Sequence, residues 1–292
     1  MTPPTISIIS SAARPENWQG LYESIGENEV SCEYIFVGPN APKWELPDNF
    51  IYIKSNVKPA QCFEIAARQA SGEILLWIMD DCLYITDRPL DKMYELYQQQ
   101  NNQKVIISSN YALPDGWDRF FIGDMDSPGL ALCGLIQARL WSELGGIDRK
   151  FVALCWPEDI AMNVLSIGGE VIMSDVFMDE EVEKAGKPRS RGSTLFKDHY
   201  STDRALLEQL WSIEGAVHFD RAQPVEPFSD DDIMEISQHP QGRWKNNSDM
   251  ANRIITNRLY YRTKNTYRNI RGRAQRFRFA NIPTYISRML SK

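Results

Sequence analysis

Apolar positions in the first third of the chain fall in short runs separated by amphipathic stretches. TISIISSA (5–12), CEYIFVGP (32–39), NFIYIKS (49–55) and GEILLWIMD (72–80) are β-branched, aromatic and apolar, and read as strands. Between them, ENWQGLYESI, with Pro15 just ahead of its first turn, and the Ala-rich PAQCFEIAARQAS read as helices. LDKMYELYQQQ reads as another helix and KVIISSNYAL as another strand. Strand alternating with helix predicts a mostly parallel, doubly wound α/β sheet over roughly the first 110 residues.

The fourth run has an unusual end. Six residues from Ile74 to Met79 carry no charge, and Asp80 and Asp81 follow at once. A continuous apolar run marks a strand buried on both faces. Acids at its carboxyl end lie at the rim where open α/β sheets bind ligands. The same two acids are also compatible with a solvated turn, or with the cap of a helix starting near Asp87.

Further along, DGWDRFFIGDMDSPG has loop composition, and ALCGLIQARLWSELGGI reads as a strand running into a helix closed by Gly145 and Gly146. FVALCWPEDIAMNVLSIGGEVIMSDV reads as loop, helix, Gly-Gly stop and strand. Residues 180–195 have the composition of a mobile loop, and the segment from Ala251 onward reads as helical, with Arg and Lys among Ile, Leu and Tyr.

Composition narrows the class. The 292 residues are 43% hydrophobic and 24% charged, as expected of a globular protein with a sizeable core. No apolar stretch approaches the ~20 residues of a membrane span, and the N-terminus does not resemble a secretory signal. The five cysteines are scattered without a CxxC pair, which predicts reduced thiols in a cytoplasmic protein. Charge is segregated. Residues 243–292 hold thirteen Lys and Arg against one acid, Asp249, a net of +12 that leaves −19 on the rest of a chain totalling −7. A basic tail on an acidic body points to an anionic partner, or to the body itself.

Three chemical features stand in order: Asp80-Asp81 at a strand end, Trp156-Pro157-Glu158-Asp159 at a helix start, and Asp198-His199. Carboxylates and an imidazole suit Mn²⁺ or Mg²⁺ when a diphosphate completes the coordination. Each also has a plainer role: Glu158 and Asp159 as favourable first-turn acids, His199 as an ordinary surface or core histidine, Trp117 and Trp156 as core aromatics.

Over residues 5–200 the chain resembles the GT-A glycosyltransferases, in particular the family 2 type. The resemblance is carried by SIISSAARPEN, EYIFVGP and GEILLWIMDD, and most specifically by GGIDRKFVALCWPEDIAMNVLSIGGEV. It implies a GT-A fold: a Rossmann-like, mostly parallel doubly wound sheet, here with a basic helical C-terminal extension. Residues 1–110 would form the nucleotide-sugar half, 111–220 the acceptor and catalytic half, and 221–292 the extension. It further implies that Asp81 is the metal-binding acid of the DxD motif, with His199 as a late metal ligand. Asp80, Ser10, Arg14 and Gly38 would contact the donor. Asp159 would be the base that deprotonates the acceptor hydroxyl, and Glu158 would orient it. The sequence departs from the family where Met79 replaces the first DxD acid, where Val37-Gly38-Pro39 ends the second strand, and at Cys62-Phe63-Glu64.

The expected activity is a metal-dependent, inverting transfer from a nucleotide-diphosphate sugar, a UDP-sugar first among donors, to a glycan or lipid-linked acceptor of the cell envelope. The tail 251–292 would then rest on an anionic membrane at its inner face. The alternatives are a glycosyltransferase acting on modified nucleic acid, a nucleotidyltransferase on the same kind of sheet, and a degenerate GT-A domain serving as a binding scaffold.

Overall fold

The computed structural model describes residues 3–111, 133–180, 192–211 and 221–230. The basic tail, the 115–129 loop with Trp117, and residues 181–191 lie outside these. All described residues belong to one compact unit.

Eight strands form one sheet: β1 (Ile6–Ser11), β2 (Cys32–Gly38), β3 (Phe50–Lys54), β4 (Ile74–Trp77), β5 (Cys82–Tyr84), β6 (Val105–Tyr111), β7 (Gly134–Gln137) and β8 (Glu170–Glu180). Their spatial order is β3-β2-β1-β4-β7-β6-β8-β5. The first four are parallel neighbours, as their continuous apolar sequences require: Ile6, Ile8, Ile9, Ile35, Phe36, Leu75 and Leu76 are all shut off from solvent. β6 and β8 also pair in parallel, while β7 runs against both β4 and β6. Parallel neighbours need crossovers, which α1 (Trp18–Ile25) and α2 (Pro59–Gln69) supply.

Alternate side chains of each strand face opposite layers. On one face Ile6, Ile8, Phe36 and Leu76 join α1, whose Trp18 lies against Phe36 (5.4 Å) and Phe50 (6.0 Å). On the other, Trp77 meets Trp141 and Trp156 at 6.1 and 5.9 Å, and Trp156 meets Phe63 of α2 at 4.7 Å. Burying rings of this size contributes on the order of 2–3 kcal/mol each. Trp156 is therefore a core residue, 1% exposed.

The remaining helices among the described residues are α3 (Pro89–Gln98), α4 (Ala138–Glu143), α5 (Trp156–Ser166) and α6 (Gly192–Trp211). Two expectations change. The acids Asp80 and Asp81 do not cap a helix: they lie on the turn between β4 and β5, a three-residue strand that pairs antiparallel with β8. The loop expected over 180–195 gives way to α6 at Gly192, because the Leu206, Leu207, Leu210 and Trp211 face of that helix is buried.

Candidate active site

The chain passes from β1 to β2 and β3 on one side and later returns to β4 on the other, so the sheet changes winding direction between β1 and β4. Crevices at such switch points, outside the carboxyl ends of the strands, are where open α/β sheets take ligands. Arg14 follows β1 and Asp80-Asp81 follow β4, so all three arrive at this crevice.

There they form one ionic group. The backbone N–H of Arg14 donates to Asp80 Oδ2 and its Nε to Asp80 Oδ1, both at 2.8 Å. The terminal nitrogens then reach Asp80 and Asp81, one each. Asp80 is buried, whereas the side chains of Arg14 and Asp81 keep 17% and 19% of their surface. Burial works against the charge on Arg14, but Asp80 and Asp81 together hold the guanidinium above its ordinary pKa.

The other expected donor-side residues support this rim. Ser10 Oγ donates to the Ile78 carbonyl at 2.9 Å, tying the end of β1 to the approach to Asp80. The carbonyl of Gly38 accepts from Ser55 N–H (2.9 Å) and the Tyr52 hydroxyl (3.0 Å). A Cβ on Gly38 would sit 1.9 Å from the Ala12 carbonyl oxygen, so β2 can close on the segment after β1 only with glycine there.

The second acidic pair opens α5. Cys155 precedes that helix in left-handed conformation (φ 62°), and the loop leading to it is fixed by Asp203 of α6. The Asp203 carboxylate accepts from the backbone N–H groups of Val152, Ala153 and Leu154 at 3.2, 2.9 and 2.8 Å. Burial nevertheless raises its pKa to about 6. Ahead of this loop, Glu64 accepts from Trp141 Nε1 and Ile147 N–H, both at 3.2 Å. Gly146, at φ 69°, passes so near Glu64 that a Cβ would lie 2.5 Å from its Oε2.

Asp159 is 1% exposed and accepts hydrogen bonds on both oxygens. Its Oδ1 accepts from Trp211 Nε1 (2.8 Å) and Arg221 Nε (3.0 Å), and its Oδ2 from the second terminal nitrogen of Arg221 (3.1 Å) and, at 3.5 Å, from Asn163 Nδ2. The same Arg221 nitrogen donates to Asp148 Oδ2 at 2.7 Å. Burial raises the pKa of Asp159, and Arg221 pulls it back. Glu158 faces Arg204 of α6 and Asp203, and burial pushes its pKa up to about 7.

Arg221 is carried on a strap, residues 221–230, bound along its length: Arg149 N–H donates to the Glu226 carbonyl (2.7 Å), Phe228 is buried with Lys58 over its ring (5.1 Å), and Arg68 pairs with Asp230 (2.8 Å).

The structure thus brings Arg14, Asp80 and Asp81 together at the rim and sets Glu158 and Asp159 at the start of α5. His199 lies partly buried on α6. Among the described residues no three His, Cys, Asp or Glu side chains are grouped to hold a metal ion, so Asp80, Asp81 and His199 do not form such a group. Arg221, Trp211, Asp148, Asp203 and Glu64 escape sequence reasoning. Asp148 sits inside the GGID motif and Glu64 at a departure from the family pattern, the only signals present.

No protein-family model matches the chain, and no curated protein matches it in sequence. In structure it is similar to the mannosyltransferase PcManGT from Pyrobaculum calidifontis, solved with GDP-Man and Mn²⁺, at 17% identity and a TM-score of 0.50. That match covers 64% of this chain and 59% of the other, so the chain spans less than two thirds of the mannosyltransferase. S. aureus TarS 1–349 is matched in complex with UDP at 10% identity and TM-score 0.46, covering 70% of this chain and 71% of that one. Its UDP-GlcNAc complex gives 12%, 0.47, 65% and 61%. The chain has the GT-A-like glycosyltransferase fold, with a mixed α/β architecture around a mostly parallel sheet.

Proposed function

We propose that the protein is a glycosyltransferase that moves a sugar from a nucleotide-diphosphate donor to an acceptor hydroxyl. The observation that carries this reading is the convergence of Arg14, Asp80 and Asp81 at the β1–β4 switch point. Three of Asp80's contacts come from Arg14, so Asp80 fixes Arg14 and Asp81 is the more exposed acid of the pair.

Two carboxylates and one guanidinium leave the rim with one negative charge in excess. A diphosphate would be repelled there without added positive charge. Asp81 and the donor's phosphates fit a hard divalent cation held by one or two carboxylates plus substrate oxygens, the usual mode of Mg²⁺ and one open to Mn²⁺. Such a cation supplies the charge that stabilises a departing diphosphate. Arg14, whose charge is already included in that balance, is the protein's own positive group on the same face. Asp159 is the acceptor-side base, which makes the reaction inverting, and Glu158 orients the helix start. The mannosyltransferase that shares the fold carries GDP-Man and Mn²⁺, so GDP-sugars belong beside UDP-sugars among the candidate donors.

The test is hydrolysis and transfer with UDP-, GDP- and dTDP-sugars, with Mn²⁺ and with EDTA. Turnover of one donor that EDTA abolishes supports the reading. Binding without turnover would make the domain a scaffold, and turnover indifferent to EDTA would remove the metal from Asp81. The glycan or lipid-linked acceptor, the envelope role and the inner membrane face rest on the family resemblance and on the basic tail, which lies outside the described residues. No helix among the described residues is long and apolar enough to cross a membrane. Deleting residues 251–292 should abolish binding to anionic liposomes and leave donor hydrolysis intact. Salt-sensitive binding of the full chain to duplex DNA instead would favour a nucleic-acid acceptor.

A further inference from the structure

We propose that Asp159 takes the acceptor's proton on Oδ2, and that Arg221 and Trp211 are positioning residues that lock Oδ1 and hold the carboxylate in its orientation. The proposal rests on Asp159 being the base.

An ionised carboxylate offers about two acceptor sites on each oxygen. On Oδ1 both are filled at short range, by Trp211 Nε1 at 2.8 Å and Arg221 Nε at 3.0 Å. On Oδ2 one is filled by Arg221 at 3.1 Å. The other meets, among the described residues, only Asn163 Nδ2 at 3.5 Å, at the limit of a hydrogen bond. Among the described residues, Oδ2 on the Asn163 side is the only lone pair of Asp159 that a hydroxyl can claim without breaking a short contact. The two short bonds come from different elements, α6 and the strap, so the carboxylate cannot rotate about its Cβ–Cγ bond without losing one of them.

The charge also balances through the step. The acceptor oxygen forms its bond to the anomeric carbon as the bond from that carbon to the diphosphate oxygen breaks. The bonding pair leaves with the diphosphate, and the hydroxyl proton passes to Oδ2. Asp159 is then a neutral acid, which would strand a lone guanidinium in a buried site. Arg221 is not stranded, because it already donates to Asp148 at 2.7 Å, and Asp148 is entirely buried beside it. Among the described residues, the charged groups facing Asp159 are Arg221 from the strap, Asp148 from the turn after α4 and Glu158 from its own helix; α6 contributes the uncharged indole of Trp211.

The experiment uses the full chain with Mn²⁺ and whichever of UDP-glucose, GDP-mannose or dTDP-glucose it hydrolyses. It compares Arg221→Gln, Arg221→Lys, Trp211→Phe and Asp159→Asn for kcat, KM and the pH dependence of kcat. Losing the cation raises the carboxyl's hold on its proton, so in Arg221→Gln the acidic limb should move to higher pH. Its kcat at neutral pH should fall at least about tenfold, with donor KM within about twofold. Arg221→Lys keeps the charge and should restore most of the limb. Trp211→Phe should shift it in the same direction by less. If Arg221→Gln will not fold, the Lys and Phe variants carry the same test. A wild-type limb and kcat in Arg221→Gln overturns the proposal, as does equal loss in Gln and Lys with the limb unmoved. Asp159→Asn at wild-type kcat overturns the base reading itself.

Discussion

Arg14 and Arg221 each bridge two aspartates, yet they are set in different surroundings. Arg14 stands at the sheet rim between Asp80 and Asp81, with 17% of its side chain and 19% of Asp81's open to solvent. Arg221 stands beside α5 between Asp148 and Asp159, where the three side chains keep 7%, 0% and 1%. Water at the rim screens the charges and makes each ion pair cheap to exchange for another partner. In the buried group the Coulomb attraction is stronger, but removing one member leaves an uncompensated charge and costs about 3–5 kcal/mol. The same trio, one arginine and two aspartates, therefore serves as an exchangeable anion-and-cation rim in one place and as a fixed mount in the other.

That contrast can be broken or sharpened by substitution. The largest effect is expected at the buried group: Asp159→Asn should lower turnover by about 10²–10⁴-fold, with donor affinity unchanged by titration. The amide oxygen still accepts from Trp211, and Arg221 retains Asp148, so the accompanying loss in chemical denaturation should be only about 1–3 kcal/mol. At the rim, Asp81→Ala should lower turnover by about 10³-fold and weaken donor binding, with Tm nearly unchanged. A large loss of Tm there would erase the distinction.

A pH measurement probes the buried side alone. Burial holds Glu158's pKa near 7 against 4.5 in its ordinary state, so the folded chain keeps a proton that the unfolded chain has released. Its contribution to stability is greatest below about pH 4.5 and is lost as pH rises through about 7, a decline of about 1–3 kcal/mol. Denaturant titrations at several pH values should show that decline together with a smaller one from Asp203, and Glu158→Gln should remove the Glu158 part. The smallest effect belongs to a solvent-exposed pair. Breaking Arg139–Glu143, where the side chains are 81% and 54% exposed, by Arg139→Ala should change stability by no more than about 0.5 kcal/mol.

Legibility in the sequence followed the range of the interaction. β1 to β4 and their crossover helices are legible because each announces itself by a local run, apolar for a double-faced strand and amphipathic for a helix. β5 is not, since three residues after two acids carry no period, and only pairing with Met178, Asp179 and Glu180 of β8 makes them a strand. α6 hides behind its polar first half, GSTLFKDHYS. At the site, Asp80 and Asp81 stand out because charge follows directly on an apolar run. Arg221 has no such contrast around it, and its partners lie 73 and 62 residues away in sequence. Asp203 reads as one more acid on a charged helix until the three amides it caps, about 50 residues earlier, are brought to it.

α6 touches the start of α5 at two places. Asp203 grips the backbone ahead of α5 and Trp211 grips the side chain of Asp159. The two lie eight positions apart, about 12 Å along the axis. A single attachment would leave a pivot, about which the start of α5 could swing like a gate. Two attachments on one stiff rod remove that degree of freedom, so aim and location are set together. Shortening or lengthening α6 by one residue between Asp203 and Trp211 would turn the indole by about 100° about the rod. Such a change would detune the site while leaving every residue in it intact.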